Sequence, residues 1–167
     1  MALETIIIDG VPVTTLRELL KPSLRAVFVG YNPAPDSVAA GHYYQGRHGR
    51  TIWGRLARYG LLPGAPRGSE DDHAFRLGLG FADLVRRPTA SIAELDPREL
   101  RKGVDSLVRR LSAAGGKPLV VFTYSGPWKL ARTALEQAGH RVLRMPGQYQ
   151  PPDALMKELQ AALGKAI

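Results

Sequence analysis

Short apolar runs that alternate with stretches of helical periodicity constrain this chain most. Residues 24–30 (LRAVFVG) and 118–123 are each too short and too uniformly apolar to be amphipathic helices, and they read as buried strands. Residues 140–145 read as a third strand. Between and after them, residues 97–111 place Leu100, Val104, Leu107, Val108 and Leu111 on one helical face. Asp96 is placed to cap that helix and Pro97 suits its first turn. Further helices are predicted over 51–59, over 127–138 before Gly139, and over 153–163. Strand and helix in alternation predict a three-layer α/β/α domain around a mainly parallel sheet, with ligands at the carboxyl ends of the strands.

Before the first buried strand, residues 5–9 and 11–13 flank Asp9-Gly10, a pair suited to a tight turn, which predicts a short N-terminal hairpin. A helical stretch is expected over 15–20. No internal repeat or linker divides the chain, so one domain over residues 1–167 is expected. Gly78-Leu79-Gly80 lacks the third glycine of a dinucleotide fingerprint and reads as a turn before the extended run FADLV. Asp71-Asp72, at the end of the breaker-rich PGAPRGSEDD, is expected in a solvated loop.

Composition removes several chemistries. The 167 residues contain no cysteine, which excludes disulfides, thiolate zinc sites, cysteine nucleophiles and cysteine-held clusters. The four histidines, His42, His48, His73 and His140, show neither HxH nor HExxH spacing, so no metal and no cofactor is expected. The N-terminus lacks a signal-peptide pattern, and no run approaches the roughly 20 apolar residues of a membrane span. A cytoplasmic monomer without a membrane partner is the expectation.

The net charge of +8 points to a polyanionic partner, and its distribution is more telling than its size. Between Asp36 and Glu70 there is no acidic residue, while Arg47, Arg50, Arg55, Arg58 and Arg67 interleave with Tyr43, Tyr44, Trp53 and Tyr59. Basic and aromatic residues together suit a phosphate backbone and a stacked base. Trp53, at helical spacing from Leu56, is assigned to the core instead. This segment follows the first buried strand as a long Gly/Pro-rich loop, a usual place for function.

Gly30-Tyr31-Asn32-Pro33, then Gly41-His42-Tyr43-Tyr44 with Trp53, then GFADLVRRPTASIAEL at 80–95, carry a family likeness. Over residues 24–111 the chain resembles the mismatch-specific uracil/thymine DNA glycosylases of the uracil-DNA glycosylase superfamily. Their motifs are G-I-N-P-G, an aromatic stretch ending in N-R-F-W or N-H-F-W, and G-x-T-x-L-V-x-R-P-T. The resemblance implies a monofunctional hydrolase that removes uracil, preferably opposite guanine, from duplex DNA in base excision repair. It assigns water positioning to Asn32, base stacking to Tyr44 with Tyr43 as the substitute, and base-carbonyl contacts to the amides beside Gly30, those of Tyr31 and Asn32. Lacking cysteine, the chain departs from the superfamily's iron–sulfur branches.

The residues agree with that chemistry. Hydrolysis of an N-glycosidic bond needs an oriented water and stabilisation of the departing base. An asparagine amide held between Pro33 and Pro35 can orient a water without ionising. Asp83, inside the third motif, is the candidate general base, with capping or pairing to Arg86 or Arg87 as the alternative. Asp36 reads as a turn-capping carboxylate. The first motif holds no lysine, so no amine nucleophile is expected. Arg47 and Arg50 are candidate DNA contacts.

After the last strand, where the family carries N-P-S-G-L-S-R or M-P-S-S-S-A-R, this chain reads MPGQYQPPD. Gly147, Gln148, Tyr149 and Gln150 are the candidate DNA-contacting loop, with Tyr149 as the wedge that fills the gap left by a flipped base. Three other readings stay open: a glycosylase for another deaminated base such as hypoxanthine, a catalytically impaired nucleic-acid-binding protein on the same fold, and a hydrolase of free nucleotides.

Overall fold

The computed structural model describes residues 3–147 and 153–164. Two strands, β1 (Leu3–Ile8) and β2 (Val11–Leu16), form an antiparallel hairpin turned at Asp9-Gly10, both with positive φ. The main sheet contains β3 (Ala26–Gly30), β4 (Leu79–Asp83), β5 (Leu119–Phe122) and β6 (Val142–Arg144), all parallel, in the order β4-β3-β5-β6. From β3 the chain moves out to β4, then crosses back over β3 to β5. That reversal makes the carboxyl end of β3 a topological switch point, where such folds open a crevice.

Among the described residues, the helices α1 (Pro35–Ala40), α2 (Arg50–Arg58), α3 (Glu70–Arg76), α4 (Pro97–Ala114) and α5 (Ser125–Gln137) lie between the strands, and α6 (Asp153–Leu163) follows the last. Side chains alternate across the sheet as strand geometry requires. Ala26 and Phe28 of β3 join Phe81, Val121, Trp53, Leu56 and Met156 in one core. Val27 and Val29 join Ala82, Val120, Phe122, Leu107, Leu111 and Leu135 in the other. Helices α2 and α6 therefore cover one face, and α4 and α5 the other. Asp96 caps α4 as expected, accepting the Arg98 amide at 2.6 Å.

Three expectations change. Residues 15–20 are not helical: β2 runs to Leu16, and Leu19 exchanges hydrogen bonds with Phe81, so pairing with the sheet overrides local propensity. Asp71 and Asp72 lie on α3, with Asp71 fully buried. Asp36 caps no turn; Ala34 stands at the N-cap of α1 without a side-chain cap, and Asp36 sits in the first turn of the helix.

Candidate active site

The carboxyl ends of β3, β4 and β5 converge on one cavity of about 490 Å³. Gly30 and Asp83 are register partners at two of these ends, and Thr123 and Tyr124 follow the third. Beyond β4 the pairing continues as the Leu84 amide donates to the Gly30 carbonyl and the Val85 amide to that of Tyr31, both at 2.9 Å. The loop carrying Asn32 is thereby fastened to residues 84–89.

Asn32 is oriented by its own amide nitrogen, which donates to the Arg87 carbonyl at 2.9 Å and to Thr89 Oγ1 at 2.7 Å. Both N–H groups are thus engaged, leaving Oδ1 as the acceptor available to a water. Thr89 in turn donates to the Ser91 carbonyl at 2.8 Å, so the orientation of Asn32 depends on a turn more than fifty residues along the chain from it. Thr89 stands in the third motif, but nothing in its sequence context marks it as the partner of Asn32.

Asp83 is 4% exposed and lines the same cavity. Neither proposed arginine partner captures its carboxylate. Arg87 forms a fork with Glu99, its Nε at 2.7 Å, and Arg86 pairs with Glu4 of β1. Burial pushes the Asp83 carboxyl up to about 7, with the Arg86 charge opposing. Arg110 of α4 holds the strand end from behind, donating to the Asp83 and Leu84 carbonyls at 3.0 and 3.1 Å while paired with Glu18.

Gly30 permits this convergence. A Cβ there would lie 2.6 Å from Asp83 Oδ1 and 3.3 Å from the Tyr44 hydroxyl. Tyr44 occupies the left-handed region at φ 56°, rare for a bulky residue. Its hydroxyl pairs with Thr123 Oγ1 at 3.2 Å, and its ring meets Trp53 edge-on at 5.8 Å between centroids. Gly49 backs it, since a Cβ there would come within 2.8 Å of Tyr44 Cα. Tyr43 also lines the cavity but is only 2% exposed, packs on Phe81 and donates to the Arg17 carbonyl. Burial, then the Asp83 charge, raises both phenols well above their ordinary value, so they stay neutral.

The conformation of residues 42–50 is imposed from α3. Asp71 accepts the Tyr43 amide at 2.8 Å through one oxygen and faces His42 Nδ1 at 2.8 Å through the other. Glu70 accepts from Gln45 Nε2 at 3.1 Å and Arg50 Nη2 at 2.7 Å. Arg50, half-buried, is thereby held in an ion pair with Glu70. The atoms of His42, Asp71 and Asp72 lie within 4.8 Å of one another. Asp71 meets His42 through one oxygen and accepts the Tyr43 amide through the other, an arrangement that anchors the loop. Trp53 is core, its indole donating to the Tyr43 and Tyr44 carbonyls.

At the rim, Arg47 and His48 are exposed. Tyr31 and Tyr124 form an aromatic pair on the same cavity, centroids 5.9 Å apart, with Tyr124 37% exposed. Tyr124 was not among the residues expected from sequence; a lone tyrosine after a strand carries no signal until the topology sets that strand beside β3. The start of the last loop is fixed by Arg55, whose guanidinium donates to the Pro146 and Gly147 carbonyls. Gln148, Tyr149 and Gln150 lie outside the described residues.

Among the described residues, no helix is long and apolar enough to cross a membrane. The model of the Uracil DNA glycosylase superfamily matches residues 18–155, spanning every strand of the main sheet and every residue that lines the cavity beyond Leu16. The chain belongs to the Uracil DNA glycosylase superfamily, and its activity is in general terms that of a DNA glycosylase.

Proposed function

We propose that this protein hydrolyses the N-glycosidic bond of uracil flipped out of duplex DNA, preferentially opposite guanine, without a covalent intermediate. The observation that carries the reading is the meeting of Asn32 and Asp83, from the ends of two adjacent strands, in one aromatic-walled cavity. Asn32 Oδ1 and the Asp83 carboxylate together hold a water beneath the anomeric carbon. As the glycosidic bond breaks, its electron pair leaves with the base. The water oxygen bonds to the sugar carbon, and its proton passes to Asp83.

The amides of Tyr31 and Asn32, next to Gly30, stabilise negative charge on the departing base. Tyr44 presents the stacking surface, with Tyr43 supporting it from the core, and the Tyr31–Tyr124 pair closes the outer side of the cavity. Arg47 at the rim contacts phosphate, and the loop from Gly147 through Gln148, Tyr149 and Gln150 fills the space vacated by the base. No lysine lies between Gly30 and Arg50, which supports water rather than an amine as the nucleophile.

Single-turnover incubation with labelled duplexes carrying uracil, thymine or hypoxanthine opposite each base tests the proposal. Abasic product is expected fastest from uracil opposite guanine. Abasic product from hypoxanthine alone reassigns the substrate, and none from any duplex overturns the reading.

A further inference from the structure

The N-terminal hairpin precedes the segment matched by the superfamily model, yet it is built into the site. Leu16, the last residue of β2, is 1% exposed and lines the cavity. Thr15 Oγ1 donates to the Arg86 carbonyl at 2.7 Å, and the Arg86 guanidinium donates to the Leu16 carbonyl at 3.0 Å while pairing with Glu4 of β1. Arg86 thus lies three residues beyond Asp83 with its backbone and side chain both held by the hairpin.

We infer that the hairpin is a working part of the active site: by pairing Glu4 with Arg86 it governs how much positive charge the Asp83 carboxylate experiences. Glu4 and Arg86 are positioning residues here, acting through Asp83, and the inference rests on the general-base reading of Asp83 given above. A guanidinium near a desolvated carboxylate favours the ionised form, and a partner anion on that guanidinium offsets part of its effect.

The other groups facing Asp83 leave this relay as the adjustable one. Tyr43 and Tyr44 approach from the loop before α2 and Tyr124 from the start of α5; all three phenols have raised proton affinity and remain neutral. Arg110, from α4, binds the main-chain carbonyl of Asp83 and is paired with Glu18. Arg86 is the cation that lowers the Asp83 carboxyl.

The test follows the Asp83 carboxyl carbon by NMR from pH 4 to 9 in the intact protein, beside the pH profile of single-turnover base release. Glu4→Gln, which leaves Arg86 its contact with the Leu16 carbonyl, is expected to lower the Asp83 midpoint by about half a pH unit. Arg86→Gln is expected to raise it by a similar amount, and Glu4→Gln is expected to have no further effect in the Arg86→Gln background. A purely structural hairpin lowers the melting temperature in these variants and leaves the midpoint where it was. Unchanged NMR midpoints in both single variants overturn the inference. Midpoints that move while the rate profile stays fixed uphold the relay and overturn the general-base role of Asp83.

Discussion

Two regions bury carboxylates and treat them in opposite ways. On α3, Asp71 and Glu70 are surrounded by donors: the Tyr43 amide, His42, Gln45, Arg50 and the Gly68 amide. At the end of β4, Asp83 is equally enclosed, but the neighbouring arginines are turned toward Glu4 and Glu99. Burial raises all three carboxyls. The bonds from Gln45 and Arg50, with the contribution of its own backbone, carry Glu70 below its ordinary value. Asp71 stays raised despite its donors, and Asp83, with only Arg86 in opposition, reaches about 7. A buried acid with partners fixes a loop; one without them is poised to exchange a proton near neutrality.

The largest effect that sharpens this contrast is expected at Asp83. Asp83→Asn should slow base release at least about a hundredfold, read by single-turnover kinetics. It should also make the protein more stable at pH 8, by an amount on the order of a few kcal/mol. The sign follows from the raised carboxyl. The folded state holds its proton more tightly than the unfolded chain, so wild-type stability is lost as pH rises from about 4 through 7. Urea unfolding at pH 5 and pH 8 checks this, and a variant less stable at pH 8 would place Asp83 with the structural acids.

Asp71→Ala is expected to do the reverse, costing about 3 kcal/mol of stability because the Tyr43 amide and His42 lose their buried acceptor. Its kinetic effect should be milder than that of Asp83→Asn, with rescue by lowering temperature. Gly30→Ala comes next. Its methyl group crowds Asp83 Oδ1 and the Tyr44 hydroxyl, so base release should fall about tenfold with about 1 kcal/mol lost in denaturation.

The smallest effect belongs to Glu70→Gln, about 1 kcal/mol at pH 7. Glu70 has a lowered carboxyl, so the stability it confers is present above its unfolded value, about 4.3. That stability is lost as pH falls through the folded one. Wild type and variant should therefore converge in acid. Failure to converge would remove the ion pair with Arg50 as the source.

The alternation of apolar runs and helical spacing was enough to reveal the parallel sheet and the loop that bears Asn32. Much of the rest depended on contacts distant in sequence. The seven residues of α3 follow a Gly/Pro-rich stretch and begin with three acids, so their hydropathy resembles a solvated loop; Asp71 is buried because the chain before α2 brings it donors. Residues 15–20 have helical potential that the Leu19–Phe81 pairing overrules. Arg50 belongs to a cluster that suggests phosphate, yet Glu70, twenty residues on, claims it. Asn32 and Asp83 stand in motifs that mark them as candidates, and both line the cavity, whereas Thr89 as the orienting partner of Asn32, Tyr124 on the cavity wall and Glu4 beside Arg86 required the fold.

The most direct test of the central claim, that Asp83 and Asn32 share a hydrolytic water, is the pH dependence of single-turnover uracil release by wild type, Asn32→Ala and Asp83→Asn. The wild-type rate should rise through about pH 7 to a plateau, as the carboxylate forms. Asn32→Ala should lower the plateau without moving the midpoint, and Asp83→Asn should leave a slow rate without that inflection. A wild-type rate and profile retained by Asp83→Asn would contradict the account.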